Sequence, residues 1–127
     1  MVSTSIYQGA GSIAIRHRSR AAYFHVSGSL ASAGLSPLEI ANAALEHRRR
    51  LAILDLRDAQ VLAAQDLEWL EQLTALCSAK GLRLRIVSTA GSRPNRMLEL
   101  LRFDRFVVVS STVRDALRFG RIIRRKS

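Results

Sequence analysis

Leu51-Ala-Ile-Leu-Asp-Leu-Arg-Asp58, a helical period from about Gln65 to Lys80, and then Gly81-Leu-Arg-Leu-Arg-Ile-Val87 decide the fold. Leu51 to Leu54 is a short, continuously apolar run, the pattern of a strand covered on both faces. On a helical wheel Leu67, Leu70, Leu73, Thr74, Leu76 and Cys77 share one side, with Trp69 at its edge and Glu68, Glu71, Gln72 and Ser78 opposite. Gly81 supplies the C-terminal stop. Leu82 to Val87 alternates, placing Arg83 and Arg85 opposite Leu82, Leu84 and Ile86. Two strands joined by a helix imply a crossover and therefore a parallel pair.

Working outward, Ser12 to His17 alternates apolar and polar residues, and Ala21 to Val26 forms a second β-rich run ending at Gly28, which together predict a hairpin. Ser36-Pro-Leu-Glu39 has the form of a helix start, with Ser36 as cap, Pro37 at the first helical position and Glu39 closing a box; the helix runs to about His47. Downstream, Thr89 to Pro94 reads as a loop, Asn95 to Leu101 as a short helix and Phe106 to Val109 as a last strand. Ser111 or Thr112 caps a final helix, Asp115 completing the box for Thr112. Residues 1–11, rich in Ser and Gly, read as a loose tail. The expectation is an α/β chain with a single domain over 12–120: a mixed, mostly parallel sheet of about five strands with about four helices, followed by a basic tail over 121–127.

Composition agrees with a folded chain. Hydrophobic residues make up 48% and charged ones 24%, which is far from the disordered class. A lone Cys77 excludes an internal disulfide, and no apolar run approaches the roughly 20 residues that span a bilayer, so the expected location is the cytoplasm. The net charge is +10, with Lys80 and Lys126 the only lysines among 20 basic residues. Charge is unevenly placed: Asp55, Asp58, Asp66, Glu68 and Glu71 are half of the ten carboxylates, whereas Arg114, Arg118, Arg121, Arg124, Arg125 and Lys126 load the C-terminus.

Few residues suggest chemistry. His17, His25 and His47 lie on separate elements without ligand spacing, so neither a metal nor any cofactor is expected. Cys77 falls on the apolar arc of its helix and reads as packing. Asp55 and Asp58 could be paired acids at a strand's carboxyl end, but no nucleophile, base or phosphate loop accompanies them. Thr89 to Pro94 reads as a surface turn. Arg48-Arg-Arg50 and the stripe Arg114, Arg118, Arg121 and Arg125 could neutralise phosphates, which makes a nucleic-acid or anionic-membrane role an alternative. No recognition helix or aromatic stacking pair joins them, so nucleic acid is not the expected partner.

The ordered set Leu51 to Leu62, a helix, Gly81, Leu82 to Val87 and Arg96-Met-Leu-Glu-Leu-Leu-Arg-Phe-Asp-Arg-Phe106 resembles a STAS domain, the family of anti-sigma factor antagonists and of the cytoplasmic domains of sulphate transporters. Phe24-His-Val-Ser-Gly28 with Leu30, and Ser111 to Leu117, are similar to the family's second strand and closing helix. The likeness spans about Ala21 to Leu117. It implies a non-catalytic module whose partner is a serine-kinase-type anti-sigma factor, or otherwise a scaffold in a stress-signalling or transporter-associated complex, with a homodimer left open.

The departure lies before the second helix. Family members carry Asp-Ser-x-Gly or a close variant there, with a hydroxyl that the kinase modifies; this chain has Ala63-Ala-Gln-Asp66, with Gln65 at the aligned acceptor position. A phosphate would add about −1.5 to −2 charges at that place, and none of the four residues can accept one. The expected partner-binding residues are Ala63, Ala64, Gln65, Asp66 and Glu68, with Asp66 either a capping acid or a fixed imitation of the modified state.

Overall fold

Alternating residues in the first third of the chain build an antiparallel meander in the computed structural model, which describes residues 3–8, 11–18, 21–46, 50–60 and 63–117. Its strands are β1 (Ser3–Gln8), β2 (Gly11–Arg18) and β3 (Ala21–Gly28). The expected hairpin is β2 with β3, in register from Gly11 opposite Gly28 to Arg18 opposite Ala21. The expected loose tail over 1–11 is corrected in part: Ser3–Gln8 pairs with β2. Thr4, Ile6 and Tyr7 favour a strand, and the pairing covers an edge of β2 that would otherwise be open.

Next come α1 (Pro37–Glu46), β4 (Leu51–Ala59), α2 (Ala64–Ala79), β5 (Arg83–Val87), α3 (Arg93–Leu100), a single 3-10 turn (Phe103–Arg105), β6 (Val108–Ser110) and α4 (113–117). Among the described residues the sheet has six strands in the order β1-β2-β3-β4-β5-β6, where about five were expected, with β3 through β6 mutually parallel. β4 outruns its apolar core and carries Asp55 and Asp58 inside the strand. The last strand begins later than Phe106, whose side chain is exposed.

Local signals explain the helix ends. Ser36 Oγ accepts from Glu39 N at 3.1 Å while Glu39 Oε1 accepts from Ser36 N at 2.8 Å, a closed capping box. Gly81, at φ 73°, lets the chain turn back so that Leu82 N donates to Cys77 O at 2.8 Å. Ser92 caps α3 by accepting from Asn95 N, and Thr112 caps α4 by accepting from Asp115 N.

Side chains on the two faces of the sheet enter different cores. Phe24, Val26, Leu54, Leu56, Leu84 and Ile86 pack with Ile40, Leu70, Leu73 and Leu98 from the helices. Ala21, Tyr23, Ile53 and Val87 pack on the other face with Ala116 of α4. A sequential parallel order places right-handed crossovers on one side, which is why, of the described helices, α4 alone joins the second face. Truncating a wholly buried leucine such as Leu54 to Ala should cost about 2–5 kcal/mol. Arg48 and Arg49, with residues 118–127, lie outside the described residues.

Candidate docking site

The start of α2 is built against the loop that follows β3. Ala63, the N-cap, has no side-chain acceptor for the first helix amides, but Asp66 at the third helical position supplies the reciprocal half of a capping box by accepting from Ala63 N at 2.8 Å. Its second oxygen accepts from Ala31 N, also at 2.8 Å. One turn further, Trp69 Nε1 donates to Leu35 O at 2.9 Å. Both ends of segment 31–35 are thus tied to α2 while Leu30 and Ala33 are buried beneath it. Gln60 N donates to Gly28 O at 2.9 Å, so the carboxyl ends of β3 and β4 converge at the same place, where sites in parallel sheets lie.

Of the five expected partner-binding residues, Ala63, Ala64, Gln65 and Glu68 are exposed on one continuous turn. Asp66 is not: it is 3% exposed and both its oxygens are used by backbone amides. Its expected place on the contact surface is corrected, and with it the idea that it presents a fixed negative charge in imitation of a phosphate. Trp69 is buried and belongs to the core. Exposed Ser32 and Gly34 join the rim through the tied loop, a contribution that no local sequence pattern announced.

Asp55 and Asp58 are not paired acids. Asp55 is fully buried; it accepts from the Tyr23 hydroxyl and from Arg57 through Nε at 2.9 Å, a terminal nitrogen at 2.7 Å and the backbone amide at 3.0 Å. Asp58 accepts instead from His25 Nε2 at 2.7 Å. Burial pushes the Asp55 carboxyl up, but the bonds from Arg57 and Tyr23 outweigh it, and the net direction is down. Burial, and then the bond to Asp55, raise the Tyr23 hydroxyl to about 12. Neither group is poised to exchange a proton near neutrality. Cys77 is also unreactive, its thiol raised to about 11 by burial. Among the described residues, no three His, Cys, Asp or Glu side chains converge as a metal site would need, and no helix is long and apolar enough to cross a membrane.

No protein-family model matches the sequence, and no curated protein matches it. Solved structures do match. An anti-sigma factor antagonist from Mycobacterium paratuberculosis superposes with a TM-score of 0.69 at 19% identity, over 87% of this chain and 94% of that one. The fold is that of anti-sigma factor antagonists. A second structure, of a candidate anti-sigma factor antagonist from Thermotoga maritima, gives a TM-score of 0.71 at 17% identity over 84% of this chain and 92% of its own. A solution structure of the same Thermotoga protein gives 0.69 at 18%, over 82% and 84%. The shared fold therefore covers most of the chain.

Proposed function

We propose that this chain is a non-catalytic docking module that acts as an anti-sigma factor antagonist, engaging a serine-kinase-type anti-sigma factor. The contact surface is the exposed turn Ala63, Ala64 and Gln65 together with Glu68. The observation that supports this most is the pinning of that turn. Asp66 and Trp69 fix it to the 31–35 loop from inside, so its outer side is preorganised and available at little cost in ordering.

Two small side chains allow close approach of another backbone. Glu68 and Glu71 give the helix an acidic outer side that suits a basic patch on the partner. With Gln65 at the position where the family carries its acceptor serine, the module stays in its binding form without a phosphate switch. Affinity capture from the native cell extract tests the reading. Recovery of a kinase-fold anti-sigma factor is the expected result, and recovery only of nucleic acid or of unrelated proteins would contradict it.

A further inference from the structure

We infer that the open edge of β5 beside the 103–107 turn binds a small phosphomonoester with an aromatic or apolar body. β6 begins at Val108, opposite Arg85, so the edge of β5 at Leu84 has no strand beside it. A cavity of about 430 Å³ opens there, with Arg83, Arg85, Arg105, Leu82, Phe106 and Val107 among its lining residues. That volume is in the range of small-molecule sites.

Backbone polarity brings the Arg85 guanidinium to this edge. Arg83 N donates to Arg50 O on the β4 side, so the alternation of a strand turns the amide and carbonyl of Leu84 to the opposite, β6 side. A terminal nitrogen of Arg85 donates to that same Leu84 carbonyl at 3.3 Å, which curls the guanidinium around the strand toward the gap. Arg85 is 7% exposed, yet its Nε has no hydrogen-bond partner. The ion pairs among the described residues are His25 with Asp58 and Arg57 with Asp55, and neither involves Arg83, Arg85 or Arg105.

A buried cation without a counter-charge is costly. Burial, and then the neighbouring Arg83, push the pKa of Arg85 down, which is the direction expected of a guanidinium waiting for an anion. Three positive charges favour a dianion, and guanidinium forks match the geometry of phosphate oxygens. Phe106, 72% exposed at the rim, offers a face for an aromatic body.

Calorimetric titration of the full chain with phenyl phosphate, and separately with inorganic phosphate, tests the inference. One saturable site is expected, with phenyl phosphate bound roughly tenfold more tightly than inorganic phosphate. Phe106→Ala should remove that preference. Arg105→Gln, an exposed change that leaves the core untouched, should lower affinity for both ligands by about tenfold. Arg85→Met should lower it at least as far, with its melting curve recorded to confirm folding. Absence of a saturable site, equal affinity for the two ligands, or undiminished binding by Arg105→Gln would each overturn the assignment.

Discussion

Asp66 Oδ1 accepts a hydrogen bond at 2.8 Å from the amide of Ala31, a residue 35 positions earlier in the chain. The bond joins the loop after β3 to the first turn of α2, and it converts a local helix cap into a tertiary tie. The same carboxylate caps Ala63, so one buried side chain sets the position of both loops that border the exposed turn.

Asp66→Ala should therefore destabilise more than loss of an ordinary cap. It leaves two amides without their acceptor, at about 1–3 kcal/mol each where they stay shielded from water. Urea unfolding should show a lower midpoint with little change of slope. Asp66→Asn, which retains one acceptor oxygen, should fall between Asp66→Ala and the parent chain.

The Tyr23, Asp55 and Arg57 cluster predicts how stability varies with pH. Asp55 titrates lower in the folded chain than its ordinary value of 3.8, so its contribution is present above that value and is lost as pH falls through the folded pKa. Tyr23 has the opposite sign: raised to about 12 from 10.0, it lets the unfolded chain ionise first, and stability falls between those two values. Urea midpoints measured at neutral and acidic pH should converge for Asp55→Asn relative to the parent. Removing Arg57 from its pair with buried Asp55 should also destabilise at neutral pH, by less than the about 3–5 kcal/mol of a fully buried pair, because solvent screens Arg57, whose side chain is 39% exposed.

Ser36→Ala tests the box at the start of α1. One of its two reciprocal bonds is removed, and the expected loss is about 1 kcal/mol, read as a small downward shift in thermal midpoint.

Gln65→Ser should restore an exposed hydroxyl at the turn. With the captured kinase and ATP, the variant should gain one phosphate at position 65 by mass spectrometry and lose partner affinity. The parent should stay unmodified over 63–66. Any phosphate on the parent should favour Ser111, which is exposed, over Ser88 and Ser110, whose hydroxyls are buried.

Much of the architecture was legible because it rests on short-range signals. The Ser36 and Glu39 box, the turn at Gly81 and the apolar arc of α2 each act within a few residues, and each appears in the structure. What escaped depends on pairings distant in sequence. β1 forms because β2 has an edge to offer, which Ser3–Gln8 alone does not reveal. The Tyr23–Asp55 bond crosses between neighbouring parallel strands, and neither residue marks the other along the chain. Asp66 looked like an ordinary first-turn acid; its burial depends on Ala31 arriving from another loop. The alternation of Leu82 to Val87 already places Arg83 and Arg85 opposite the leucines, but the late start of β6, which opens the gap beside them, follows from the 103–107 turn.

The most direct measurement is the affinity of the captured anti-sigma factor for the parent chain and for a Gln65→Arg, Glu68→Arg double variant, both sites being exposed and outside the core. Docking through this turn predicts about a tenfold or greater loss of affinity with an unchanged melting temperature. Equal binding by the two proteins would contradict it.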